Sequence, residues 1–460
     1  MMISTTKKSG VAAAVLGILG LFCIQAHATN GYFTHGVGVK NKAMAGAGSA
    51  MPQEAVATAI NPAAAVVVGE RFEVGLGIFS PVRSYKTSGS LANGNGGAFT
   101  VGPNDIESDN EFFLVPFVAK IWEREENSAV AVNLYGRGGM NTEFSGGTAT
   151  FDPDGPGPAV PTTSPGTFGG GTTGVDLAQA FVDLTYARRT GSLSWGVSVV
   201  LAAQVFEAKG LASFAGFTET FARSGGTVLP SNLTNNGHDF SFGYGFKAGV
   251  IWDLNARLNL AAAYQSKTIM QEFDSYSDLF ADDGGFDVPA NARIGASWVA
   301  TNTLTLHFDV ERTWFGNIDS VGNSIANVFA CPTAGLGGTD FEACLGGSNG
   351  AGFGWDDVTV YKFGAQWHLP TTPRWTWRAG FSQTDHPINA SETLLNILAP
   401  AVVEQHFTFG GTRSLIGGRE FSFGLMYAPE KTTRGQNAFD PTQTIELKMR
   451  QFELEFAFSW

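Results

Sequence analysis

Charge is scarce in this chain. Lys, Arg, Asp and Glu make up 15% of its 460 residues, against about 25% in an ordinary soluble domain. Basic residues are the scarcer half. The formal net charge is −13, and loss of Lys7 and Lys8 with the leader described below makes it −15. Such a balance offers no basic face, which speaks against a nucleic-acid partner. Long apolar runs are missing too. Past the leader nothing reaches the ~18 residues of a spanning helix, which excludes a helical membrane protein. The histidines (His35, His238, His307, His368, His386, His406) show no ligand spacing, so neither a metal nor another cofactor is expected. The tracts Gly94 to Gly97 and Gly169 to Gly171 lack the strand–helix setting of a phosphate cradle. Asp282-Asp283 and Asp356-Asp357 read as solvated loop and rim charges, with weak divalent-ion binding as the alternative.

What abounds is glycine, 59 residues, and phenylalanine, 37, much of it in strict alternation. Phe452, Leu454, Phe456, Phe458 and Trp460 are separated by Glu453, Glu455, Ala457 and Ser459. A period of two sends these groups to opposite faces of a strand. Nothing follows that would cover the apolar face. A barrel wall with lipid outside and water inside accounts for both faces. The pattern recurs over Phe240–Trp252, Leu304–Val310, Trp375–Phe381 and Phe421–Tyr427. Glycine on three of these four inward faces suits a lumen that must leave room.

Fourteen strand candidates follow residue 70. Short connections near 123–127, 190–191, 253–256, 300–302, 370–373 and 415–417 alternate with long ones near 84–110, 145–174, 208–237, 275–286, 316–354, 385–401 and 429–445. That is the pattern of periplasmic turns and outer loops. Trp252, Trp298, Trp367, Trp375 and Trp460 fall beside the short turns, as an interfacial girdle requires. The expected fold is all-β: a transmembrane antiparallel barrel over residues 71–460, multi-pass in the outer membrane of a Gram-negative bacterium. A soluble sandwich would need charged outer faces. The apolar phase slips once, between Met449 and Phe452. Either a bulge sits there or the upper strand stands above the membrane. The C-terminal strand is the expected handle for barrel-assembly machinery.

Residues 1–28 read as a signal peptide. Lys7 and Lys8 precede the apolar run Val11 to Ile24, and Ala26-His27-Ala28 fits a small-x-small cleavage site. Cys23 lacks a lipobox and leaves with it. Residues 29–70 are rich in Gly and Ala and contain a compact apolar turn, Ala55 to Ile60, stopped by Asn61-Pro62. They read as a plug folded into the lumen; the alternative is a disordered tail.

The chain resembles the FadL/TodX family of outer-membrane transporters for long-chain fatty acids and aromatic hydrocarbons. The resemblance rests on Asn30-Gly31-Tyr32-Phe33 with His35-Gly36, on Lys42 to Gly48, and on Asn61-Pro62-Ala63. Further along it rests on Trp355, Tyr361 and Gly364, on Trp375-Thr376 with Arg378 to Phe381, and on Asp385 with Pro387-Ile388. It implies fourteen strands closed by an N-terminal hatch. It also implies a route: capture of a hydrophobic ligand outside, transfer to an interior pocket near the mature N-terminus, and release sideways through a gap in the wall. Outer-membrane lipid and lipopolysaccharide are then the surroundings, and a monomer is expected.

Candidate residues can be set on that route. Leu211, Phe214, Phe217 and Phe221 are near helical spacing and would form an amphipathic capture face. Tyr276, Leu279 and Phe280 supply its partner loop, since the resemblance places the outer groove between these two loops. The alternative is that these side chains only pack the loops together. Gly136, Gly138 and Gly139 weaken strand three and mark a kink. The resemblance makes that kink the lateral gate; the alternative is room for a bulky neighbour. Thr29, Asn30, Gly31, Tyr32 and Phe33, with Asn61, Pro62 and Ala63, are the candidate interior ligand site. A free α-amino group at Thr29 would pair with a carboxylate, although a flexible terminus is the alternative. Arg188, Arg293, Lys362 and Arg378 are further candidates for a carboxylate, without geometry. Cys331 and Cys344 share a long outer loop in an oxidising compartment and read as a disulfide rather than a metal or catalytic pair. A transporter of hydrophobic compounds is the leading function. A general porin is the alternative and has no use for a plug. An outer-membrane lipase needs a serine–histidine pair on the outer surface, and His307 and Ser382 sit at inward positions without an evident partner.

Overall fold

A computed structural model describes residues 30–89, 98–152 and 157–460. The signal-peptide reading of 1–28, Thr29 and the Gly94–Gly97 tract fall outside them. None of the described helices is long and apolar enough to cross a membrane; the crossing elements are strands. Among the described residues fourteen long strands form one closed antiparallel barrel. They are β1 (Arg71–Ser88), β2 (Phe113–Glu123), β3 (Ser128–Phe144), β4 (Thr173–Thr190), β5 (Leu193–Lys209), β6 (Asp239–Asn255) and β7 (Leu258–Gln265). The rest are β8 (Asn291–Val299), β9 (Leu304–Thr313), β10 (Val358–His368), β11 (Trp375–Thr384), β12 (Gln405–Ser414), β13 (Glu420–Asn437) and β14 (Asp440–Ser459). Each pairs with its chain neighbours, and β14 pairs with β1 from Glu73↔Ser459 to Ser88↔Thr444. Closure removes the unpaired edges that lipid would not tolerate.

The alternating side chains divide as their chemistry demands. Tyr244, Phe246 and Ile294 stand outward, 63%, 54% and 62% exposed, while Lys247, Asp309 and Glu311 point inward and are buried. Trp252, Trp298 and Trp460 are exposed at the short-turn end, where a girdle belongs.

One expected loop is strand. Over 429–445 the chain runs as the upper ends of β13 and β14, joined by a two-residue turn at Ala438-Phe439. Glu430 and Arg434 are exposed, whereas Ile445, Leu447 and Met449 are buried inside and Asp440, at the turn, is buried against Thr100. The slip in apolar phase is therefore no bulge in β14, whose pairing with β1 is unbroken. The one register shift nearby lies in β13, between Ala428 and Lys431, around Pro429, which cannot donate to the ladder. Below this level β14 is greasy outside. Above it the strand is polar outside and greasy inside, as a sheet surrounded by water should be.

The interior is filled from the N-terminal side. Residues 30–50 are buried throughout. They continue through two short helices, α1 (Val39–Lys42) and α2 (Ala64–Val68), with a 3₁₀ turn at Ala55–Ala59 between them. Over the outer mouth, the short strands Ala98–Val101, Thr148–Asp152 and Thr162–Pro165 form a small sheet. The Phe99 N–H, donating to the Phe439 carbonyl at 3.2 Å, ties it to the β13–β14 turn.

Candidate functional site

The lumen has two chemically distinct storeys. In the lower one the N-terminal segment lies in places directly against wall glycines. A Cβ added to Gly380 of β11 would sit 2.2 Å from the Met44 carbonyl carbon, and one on Gly249 of β6 would sit 2.1 Å from the Asn61 side-chain oxygen. Gly380 and Gly249 thus seat the N-terminal segment, while Gly243 and Gly245 face the Ser266–Met270 stretch. Gly46, in the left-handed region at φ +84°, lets the chain turn where a Cβ would meet the His35 carbonyl at 2.1 Å.

Charges then bolt the segment to the wall. Lys42 donates to Glu453 at 2.6 Å and to Glu455 at 3.2 Å. Glu54 accepts from the backbone N–H groups of Lys40 (2.9 Å) and Asn41 (2.8 Å); burial and the neighbouring Glu73 hold its carboxyl above the usual carboxylate range. Asp309 accepts from the N–H groups of Gly48 and Ser49, at 3.0 and 3.2 Å. Glu311 carries the densest load, receiving Arg137 at 2.8 Å, Arg293 at 2.5 Å and Lys362 at 2.6 Å. Arg293 also donates to the Gly46 carbonyl and Lys362 to that of His35. Each of these ions is buried but partnered, the condition under which buried charge is tolerated.

Part-way up the wall β2 and β3 part, leaving a window in the hydrogen-bond ladder. Their ladder runs from Glu123↔Ala129 to Phe117↔Tyr135 and stops, although β2 continues to Phe113 and β3 to Phe144. The next β2 residue is Pro116, without an N–H to offer. On β3 the register against β4 shifts between Gly136 and Gly138, leaving Arg137 as the extra residue. Above that point the free side of β3 takes the hatch as partner. Thr34 N–H donates to the Arg137 carbonyl at 2.9 Å, and Gly139 N–H donates to the Tyr32 carbonyl at 3.0 Å. A Cβ on Gly138 would meet the Gln179 side-chain oxygen at 2.2 Å and Phe33 at 3.3 Å, so glycine here serves close approach. The window is closed at the top, where Asp109 N–H donates to the Glu143 carbonyl at 2.8 Å and the Arg83 guanidinium bridges the carbonyls of Asn141 and Asn110.

The upper storey is apolar. A cavity lies beneath the outer loops, bounded by Leu211 and Phe214 from one loop and Leu279 and Phe280 from the next. Phe206 of β5, Ile325, Val328, Phe353, Leu395 and Phe439 complete most of its surface. Ser320 is its one hydroxyl, and that donates to the Gly285 carbonyl at 2.5 Å. From the cavity a file of aromatic rings descends to the window. Phe280 touches Phe286 (4.9 Å between centroids), Phe286 touches Tyr32 (6.1 Å) and Tyr32 touches Phe33 (4.9 Å). A second file joins Phe353 to Trp355 (6.0 Å) and Trp355 to Tyr32 (5.9 Å). Phe33 forms an isolated bridge with Gly138.

The structure thus gathers some of the sequence-derived candidates and separates others. Leu211, Phe214, Leu279 and Phe280 share the cavity, although loop 208–237 holds two short helical turns, Ala212–Phe217 and Glu219–Arg223, instead of one amphipathic helix. Phe217 packs on Phe439 (5.1 Å) and Tyr276 on Phe206 (4.9 Å). Phe221 lies beside Gly226. Tyr32 and Phe33 stand at the window with Gly136, Gly138 and Gly139, and the half-turn Asn30-Gly31 leads into them. Asn61, Pro62 and Ala63 lie elsewhere, against β5 and β6: Asn61 donates to the Val250 carbonyl at 3.1 Å, and Pro62 and Ala63 cover Gly196. Cys331 and Cys344 are joined by a disulfide. Of the carboxylate candidates, Arg188 is exposed. Arg293 and Lys362 are engaged by Glu311, and Arg378 donates to Gln53 and Thr412. Asp282, beside Asp319, is held above the usual carboxylate range by burial and by that neighbour. Ser382 does have a histidine partner, His406 at 3.0 Å, and His307 has Ser297 at 2.8 Å. All four are buried in the lumen, not on the outer surface. Reading along the chain missed these pairs because they form across neighbouring strands. It also passed over Pro116 and Arg137, a proline inside a strand and a cation between glycines.

Comparison with known proteins agrees with this architecture. The family model described as outer membrane protein transport protein (OMPP1/FadL/TodX) matches residues 21–415. No curated protein matches. Among solved structures, the toluene transporter TodX of Pseudomonas putida superposes with a TM-score of 0.60 at 16% identity, over 92% of this chain and 98% of that one. The toluene transporter TbuX of Ralstonia pickettii gives 0.57 at 16% identity, over 92% and 98%. A FadL homologue of Pseudomonas aeruginosa gives 0.59 at 14% identity, over 95% and 98%. The chain belongs to the OMPP1/FadL/TodX family of outer-membrane transport proteins.

Proposed function

We propose that this outer-membrane transporter of hydrophobic compounds carries neutral hydrocarbons, aromatic ones among them, by a route that avoids water. The solute leaves the outer leaflet side through the loops into the upper cavity, follows the aromatic files to Tyr32 and Phe33, and passes between β2 and β3 into the membrane. The observation that carries this reading is the continuity of rings from cavity to window.

Elementary energetics favour such a path. Each buried CH₂ gains roughly 0.8 kcal/mol, so a water-filled pore holds no attraction for a greasy solute. A carboxylate fares badly in the cavity, whose walls supply no cation, and an unpaired buried ion is costly. Of the cations at the window, Arg137 is committed to Glu311, with Arg293 and Lys362, and Arg83 to the backbone carbonyls of Asn141 and Asn110. Neutral cargo is therefore preferred to fatty acid.

The test is direct. The purified protein in detergent should bind toluene more tightly than a long-chain fatty acid of equal chain burial, read by quenching of tryptophan emission, since Trp355 is buried beside the cavity. A deletion strain should lose growth on apolar carbon sources and keep it on sugars. Planar-bilayer conductance should be nearly silent. Equal or tighter fatty-acid binding would overturn the cargo, and porin-like conductance would overturn the route.

A further inference from the structure

We infer that Arg137 is the positioning residue that holds the lateral window open, acting as a strut from the gate strand to the opposite wall. The inference rests on the route proposed above and adds a device to it.

Arg137 is the extra residue in the β3 register shift, and three parts of the molecule converge on it. Its carbonyl accepts the Thr34 N–H, which fixes the hatch to the displaced side of β3. Its guanidinium crosses the lumen to Gln265 of β7 at 2.9 Å and Glu311 of β9 at 2.8 Å. Its Cζ lies 4.6 Å from the Phe33 ring centroid, a distance at which a cation is drawn to an aromatic face. Only 7% of the residue is exposed. The planar fork matters, because two donors reach two acceptors on different strands at once, which a lysine ammonium on its flexible stem reproduces poorly. Glu311 in turn is pinned by Arg293 and Lys362, so the far end of the strut is anchored. The β3 edge turned from β2 is held by only two backbone hydrogen bonds to the hatch, and a strand edge tends to pair with another strand. Without the strut, β3 is free to swing back toward β2 and narrow the window.

The experiment separates transport from binding. Arg137→Met should lower the rate of toluene uptake by at least ten-fold in cells, while toluene affinity of the purified protein stays within two-fold of wild type. Arg137→Lys should recover part of the rate, and Gln265→Leu, which removes one of two arms, should fall between. Wild-type uptake in Arg137→Met, or parallel loss of uptake and affinity, overturns the strut. Should Arg137→Met fail to assemble, wild-type uptake in both Arg137→Lys and Gln265→Leu overturns it equally. If the wild-type protein itself moves no hydrocarbon, the proposed route fails, and the strut with it, for a different reason.

Discussion

The two storeys of the lumen are filled by opposite means. Below, apolar packing of the hatch is supplemented by directional contacts with the wall: an ammonium to a carboxylate, an amide to a side-chain oxygen, a backbone against a glycine. Above, contacts are between rings and aliphatic chains, and space is left over. Directional bonds admit one arrangement, so the lower storey is a fitted stopper. Dispersion contacts are individually small and tolerate rearrangement, so the upper storey can accept a guest of variable shape. Barrier and receptacle are thus separated by chemistry within one tube.

This contrast can be broken most severely at Glu311. Glu311→Ala leaves Arg137, Arg293 and Lys362 without their shared carboxylate, and removal of one partner from a buried ion cluster costs about 3–5 kcal/mol. The expected outcome is a lower thermal midpoint in detergent together with increased bilayer conductance as the stopper loosens. An unchanged conductance would mean that charge does not hold it. A smaller effect is expected from Gly380→Val, which drives a side chain into the backbone at Met44. Overpacking of this kind costs about 1–3 kcal/mol, and limited proteolysis of the hatch should report it. The smallest effect on stability should come from Val328→Phe in the upper cavity, because the added ring enters vacant space. Its thermal midpoint should stay near wild type while toluene affinity falls several-fold. If instead the midpoint drops, the upper storey is as tightly fitted as the lower, and the contrast is lost.

How much of this could be read from the chain follows from the same contrast. The wall was legible because lipid imposes one rule on every outward residue, which is why the stripes at Phe240–Trp252 and Phe452–Trp460 identify strands directly. Above the membrane that rule lapses. The charged and polar stretch from Glu430 to Gln443 therefore looked like a loop, although its inward neighbours Ile445, Leu447 and Met449 continue the sheet. Glycine on inward positions was visible, but its purpose was not, since only the folded hatch shows that Met44 lies on Gly380 and Asn61 on Gly249. The kink at Gly136–Gly139 could be seen in sequence. Its partners could not, because Gln265 and Glu311 lie on the far side of a tube whose curvature no local pattern encodes. The cavity was half legible: Leu211, Phe214, Leu279 and Phe280 announced themselves as greasy loop residues, whereas Phe439 was hidden in a turn that the chain disguised.

The meeting of β14 with β1 has a consequence for how the molecule is made. Lys42 reaches Glu453 across 411 positions of sequence, so that bond cannot exist until the last strand has arrived. The stopper is therefore fastened at the seam only once β14 has joined β1, so that closing the cylinder and locking the stopper depend on the same strand.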